Sequence, residues 1–141
     1  MRLGAICLWM LMAASAQAET IRVRSDHGGF VQDYAAVWGA VAASGANVRI
    51  EGVCNSACTI FLGIVPPDRV CVTRNASLGF HVAARWFPGE PDTPDQAATA
   101  EMVREFYPAW VQSWIASGPP LGPRLRRMGY TELRRHYRTC N

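Results

Sequence analysis

Ser56 and His81 are the residues of this 141-residue chain best placed to do chemistry together. Ser56 opens an apolar run, Ala57 to Ile64, a few residues after a predicted strand, and His81 follows Gly79-Phe80 near the end of another. A serine at a strand-to-helix turn holds its hydroxyl clear of the helix, while the N–H of the next residue lacks an intrahelical acceptor. A second N–H, from the turn Gly28-Gly29 after the first predicted strand, would complete a pair of donors for a developing oxyanion. Glycine suits that place because the backbone must come close to the substrate. A histidine on a neighbouring strand could take the serine proton. Each feature alone has a commoner structural meaning: Ser56 as a helix N-cap, the glycines as an ordinary βα turn, His81 as a hydrogen-bonded structural histidine. Together, each at the C-terminal end of a predicted strand, they fall where open α/β folds build their sites.

The elements that must position these groups are legible as alternating patterns. Thr20 to Ser25 alternates apolar and polar residues, as a half-buried strand does. Phe30, Tyr34, Val37, Trp38 and Val41 recur at helical spacing, and Gly45 ends that helix. Asn47 to Gly52 reads as a second strand, and Ala57 to Ile64 as a buried helix stopped by Pro66-Pro67. Arg69 to Thr73 and Ser77 to Val82 read as two short strands around Asn75, and Phe87 to Pro94 as a loop. Thr93 as N-cap with Pro94 at the first helical position predicts a helix running to Ser117, kinked or divided at Pro108. A basic helix is expected from about Thr131 to Arg138. The order β-α-β-α-β-β-α-α implies an α/β domain whose first strands are parallel and joined by helical crossovers.

Residues 1–18 have the form of a signal peptide: Arg2, an apolar run from Leu3 to Ala14, and Ala16-Gln17-Ala18 before Glu19. The apolar run is too short for a membrane span, which takes about 20 residues. No later segment is apolar enough to cross a membrane, so residues 19–141 are expected to form one soluble domain in the periplasm or outside the cell. The 14 basic side chains are all arginine, against 11 acidic ones, for a net charge of +3. That excess is too small for a nucleic-acid binder, and the cluster Arg124, Arg126, Arg127, Arg134, Arg135 and Arg138 reads as a solvated helix face. Cys54, Cys58, Cys71 and Cys140 remain after cleavage, an even number that in an exported chain argues for two disulfides. Three pairings are possible; we take Cys54–Cys58 with Cys71–Cys140. Cys54-x-x-x-Cys58 also resembles half a zinc site, but no other Cys or His stands at ligand spacing, so no metal is expected. No motif implies a cofactor.

The stretch from Val23 to Val82 resembles the core of the Clp protease proteolytic subunit, within the ClpP/crotonase superfamily. It is most similar to small exported ClpP-like proteins with a G-x-C-x-S-A-C-T element, here Gly52 to Thr59, and a later G-x-H, here Gly79-Phe80-His81. The interval of 25 residues between Ser56 and His81 fits that family, and Asp26-His27-Gly28-Gly29 stands in the place of its Ser-Pro-Gly-Gly turn. The resemblance implies a reduced ClpP/crotonase-like βαβ core over about residues 20–82 and a helical segment over about 93–139. It implies Ser56 as nucleophile, His81 as general base, and the N–H groups of Gly28 (or Gly29) and Ala57 as oxyanion donors. The family's third catalytic residue is an acid after the long helix. Here Arg127 or Met128 stands near that place, and Glu132, a few residues later, is the nearest carboxylate. Asp26, Asp33, Glu101 and Glu105 are further carboxylates that could orient His81.

Two functions follow. One is a serine hydrolase acting on peptide or ester bonds; the other is a catalytically silent ClpP-like domain that binds or scaffolds envelope proteins. A third possibility is a small disulfide-stabilised domain in which Ser56, the glycines and His81 are all structural. The aromatic residues Trp86, Phe87, Phe106, Tyr107, Trp110 and Trp114 are expected to serve as core or as an interface, and the superfamily's habits make a homo-oligomer plausible.

Overall fold

The computed structural model of the chain describes residues 18–141; the segment read as a signal peptide, all but Ala18, lies outside them. These residues form an α/β fold around one mixed six-stranded sheet. β1 (Thr20–Asp26) leads through α1 (Val31–Ser44) to β2 (Asn47–Asn55), which lies parallel to β1. α1 ends where Gly45 takes a φ of +77°, and Arg69 donates to the freed carbonyl of Ala42 at 2.9 Å. Trp38 turns α1 onto the core: its indole is buried and donates to the Cys58 carbonyl at 3.0 Å.

β2 is the centre of the sheet, and its Val48 and Ile50 are fully buried. One edge carries β1. The other carries two short parallel strands in succession, β3 (Val70–Val72) against Val48–Ile50 and β4 (Ser77–Phe80) against Val53–Asn55. Between Val23 and Ser25 the β1–β2 register shifts, and the Arg24 carbonyl presses on Gly52 so closely that a Cβ there would lie 2.2 Å from its oxygen. Gly52 is the residue that lets the bulge form. Arg22 and Arg24 of β1 and Arg49 of β2 converge on Glu51 of β2, whose carboxyl lies below its ordinary range chiefly through the Arg24 hydrogen bond.

The apolar run after β2 is a 3₁₀ turn, Ser56–Ile60, continued by one turn of α-helix, α2 (Phe61–Ile64), with Ile60, Phe61 and Leu62 in the core. The next helix starts later than its sequence suggests. Thr93–Pro94 is not the helix start but a strand, β6, paired with β5 (Ala84–Arg85). Asp95 is the N-cap of α3 (Gln96–Phe106): its carboxylate accepts from the Ala98 N–H at 3.0 Å and pairs with Arg85. The cap and then the arginine hold that carboxyl below its usual range. Pro108 divides the helix outright. Tyr107, forced to extended backbone before the proline, separates α3 from α4 (Ala109–Ala116).

The C-terminal part also departs from its pattern. β7 (Arg126–Gly129) pairs antiparallel with β4, and α5 spans only Tyr130–Leu133. In place of a basic helix to Arg138 the chain turns and adds β8 (Arg138–Thr139) parallel to β3. Ladder hydrogen bonds to β3, and the Cys71–Cys140 bridge beside them, outweigh the local helical preference of that segment. Both disulfides, Cys54–Cys58 and Cys71–Cys140, are present and suit an oxidising environment. Among the described residues no helix is long and apolar enough to cross a membrane.

Candidate active site

β2 and β4 run parallel and side by side, with Asn55 opposite Gly79, so the residues that follow each strand emerge at the same end of the sheet. These are Ser56 and His81, and the His81 Nε2 lies 2.8 Å from the Ser56 Oγ. Gly79 makes the approach possible, because a Cβ there would lie 2.3 Å from the buried amide oxygen of Asn55. The backbone beyond His81 is fixed on both sides, by Val82 N–H to the Gly122 carbonyl and Ala83 N–H to Thr99 Oγ1.

Ser56 has a φ of +55°, the single positive value on a non-glycine among the described residues. That conformation costs a serine about 1 kcal/mol. Here it swings the side chain off the axis of β2 and toward His81. The turn is held from below. Thr59 Oγ1 donates to the Ser56 carbonyl at 2.6 Å, which leaves the Tyr107 hydroxyl to donate to Thr59 Oγ1, also at 2.6 Å. Burial pushes the Tyr107 phenol up to about 12. An unfolded tyrosine titrates near 10, so the folded state favours the neutral phenol. Its contribution to stability is complete below about pH 10 and is lost as pH rises toward 12. The melting temperature is expected to fall across that window. A Tyr107→Phe variant with the same slope would show that this phenol is not responsible.

The glycine turn closes the site from β1. Gly28 has a φ of +82°, and a Cβ on it would lie 2.6 Å from Ser56 Cβ, 2.7 Å from the Asn55 carbonyl oxygen and 2.9 Å from the Ala57 nitrogen. Only glycine fits between them. Gly28→Ala is therefore expected to displace Ser56 and cut its reactivity at least tenfold, with a lower melting temperature. Reactivity and stability equal to the parent's would contradict the packing described. Of the two N–H groups considered for the oxyanion, that of Gly28 donates to Asp26 Oδ1 at 2.9 Å, in a tight Asp-x-Gly turn. The Gly29 N–H is thus the donor this turn can offer, beside that of Ala57 in the first turn of the 3₁₀ segment. Asp26 Oδ1 also accepts from the Tyr34 hydroxyl at 2.5 Å; burial first, and then this bond, raise that phenol to about 12.

The carboxylates considered as partners of His81 do other work or stand apart. Glu132 lies in α5, where it pairs with Arg135 at 2.8 Å and faces His136 at 3.5 Å. Asp26 serves the glycine turn, while Glu101 and Glu105 line the cavity in front of the pair. Among the described residues none donates to or accepts from His81 except Ser56. Arg127 and Met128, at the place where the resembling family has its acid, are a strand pair partner of Gly79 and a buried core residue of β7.

A cavity of about 660 Å³ opens in front of Ser56 and His81. Phe30 and Trp86 stand at it edge to face, their ring centroids 5.9 Å apart and both more than half exposed. Met102 and Phe106 of α3 add to its apolar lining, and Asp92, Glu101 and Glu105 are its acidic groups. The break at Tyr107 leaves Phe106 at the end of α3 and puts Trp110 and Trp114 in α4. Trp110 stacks on His136 at 3.7 Å, and Trp114 packs on Phe80 and under the Arg126 guanidinium. The sequence offered Asp26 as one of several carboxylates that could orient His81, whereas the structure uses it to brace the glycine turn, and it offered no role for Asn55. Asp26-x-Gly28 was a visible turn signal, whereas Asn55 had none, for its burial against Gly79 arises from strand register. No family model matches the chain, and no curated protein or solved structure matches it either.

Proposed function

We propose that this chain is a ClpP-like serine hydrolase that cleaves peptide or ester bonds in the periplasm or outside the cell, after removal of residues 1–18. The observation that carries the reading is the 2.8 Å contact between Ser56 Oγ and His81 Nε2, both of which line an open cavity. With the ring proton on Nδ1, His81 Nε2 accepts the serine proton as Oγ bonds to the substrate carbonyl carbon. The carbonyl π electrons move to oxygen, where the Gly29 and Ala57 N–H groups stabilise the negative charge. Collapse expels the amine or alcohol, which takes the proton from His81, and leaves an acyl ester on Ser56. Water, activated by the same histidine, then releases the acid. The acidic cavity lining contains no arginine, so a substrate search begins with peptides and esters that carry a cationic group beside an apolar one.

A second reading, a binding or scaffolding domain without catalysis, draws on the lack of a hydrogen-bonded carboxylate on His81 among the described residues. In serine proteases, loss of that carboxylate's function costs about 10⁴ in rate. Labelling of the oxidised protein with a fluorophosphonate probe separates the two. The hydrolase reading expects a labelled protein and an unlabelled Ser56→Ala variant. A folded parent that does not label sinks it in favour of the binding domain.

A further inference from the structure

We propose that the Cys54–Cys58 disulfide is a positioning device for Ser56, holding its hydroxyl on His81; this rests on the hydrolase reading of that pair. The two cysteines stand symmetrically about the nucleophile, two residues before it and two after. Four residues of extended chain would span roughly 13 Å. The Cα atoms of Cys54 and Cys58 are 5.4 Å apart, so the bridge requires the chain to double back at Ser56. That is where the left-handed φ of +55° occurs, a conformation that persists in a non-glycine residue only when its surroundings over-determine it. Both cysteines are fully buried, so the bridge moves with the core rather than with solvent. Cys54 is tied into β2 opposite Leu78 of β4, and the Cys58 carbonyl receives the Trp38 indole of α1. The bridge thereby links the end of β2, one strand from His81, to the helix layer beneath the turn.

The other disulfide makes the contrast. Cys71–Cys140 joins β3 to the C-terminal end of the chain and closes a span of 69 residues, and neither cysteine lines the cavity. Loop-closure entropy rises with loop length, so the long bridge governs global stability more than the short one. The short bridge acts on geometry. Removing each should therefore separate reactivity from stability.

The experiment compares Cys54→Ala/Cys58→Ala with Cys71→Ala/Cys140→Ala, at a temperature where circular dichroism shows both folded. It reads the fluorophosphonate labelling rate, the melting temperature and the His81 imidazole nitrogen resonances. The first variant is expected to label at least 100-fold more slowly, with its His81 Nε2 resonance moved to the position seen in Ser56→Ala. The second should label within threefold of the parent despite the larger fall in melting temperature. Should the first variant not fold, Cys54→Val/Cys58→Ala refills the buried space, and the same result is expected of it. A folded variant without the short bridge that labels at the parent rate, its His81 resonance unmoved, overturns the proposal. A parent that does not label overturns the hydrolase reading instead. The His81 resonances of the bridge variant then decide on positioning by themselves: movement to the Ser56→Ala position supports it and no movement refutes it.

Discussion

Replacing His81 with alanine is expected to slow fluorophosphonate labelling of Ser56 by about 10²–10⁴-fold, the usual worth of a positioned general base. The reason is local. Among the described residues, the Ser56 Oγ faces a single hydrogen-bonding side chain, and its serine proton has no other acceptor within the turn. His81 lines the cavity and among the described residues its ring makes no other hydrogen bond, so the fold should lose little by the change. A melting temperature within a few degrees of the parent's would show that the loss is chemical. The informative contrary outcome is undiminished labelling. It would move the base role to the other ring in the cavity, His27, which lies within 3.4 Å of Ser25 and Asn55 side chains, and His27→Ala would then be the variant to measure.

Removing the long bridge, as Cys71→Ala/Cys140→Ala, is expected to cost about 4 kcal/mol of stability in the chain-entropy account of a loop this size. For a domain of this length that corresponds to a melting temperature lower by roughly 10–20 °C. The magnitude follows from the span of 69 residues that the bridge closes, and the local effect from how few contacts hold the end of the chain. β8 is two residues long, supported by the Cys140 N–H to the Val72 carbonyl at 3.0 Å, by Arg49 donating to the Asn141 carbonyl at 2.8 Å and by a 2.8 Å hydrogen bond between the Tyr130 and Thr139 hydroxyls. Without the covalent tie that strand should fray, and hydrogen exchange at Thr139 and Cys140 should approach that of an exposed segment. A fall of less than about 3 °C, with those amides still protected, would show that the ladder alone suffices.

How far the site could be read from residues depended on the range of the forces involved. Ser56, His81 and the glycine turn were legible because each sits at the end of a strand whose alternating pattern is local. The division of the helix at Pro108 was legible too, since the proline constrains its own neighbour. The start of α3 was misplaced by two residues. Thr93 is a good cap in isolation, but pairing with Arg85 draws Thr93–Pro94 into a hairpin and leaves the capping to Asp95.

The sequence by itself determined the order of strands and helices from β1 to β4 and the parallel start of the sheet, and marked Ser56 and His81 as candidates, because periodicity, turn residues and caps act over a few residues. Only the tertiary structure decided which groups meet. It occupied Gly28's N–H with Asp26, engaged Glu132 with Arg135 and His136, and turned a basic stretch into β8 against β3. Those outcomes depend on register between strands far apart in the chain and on which carboxylate finds a nearer cation. Neither quantity is encoded in the spacing of residues along one segment.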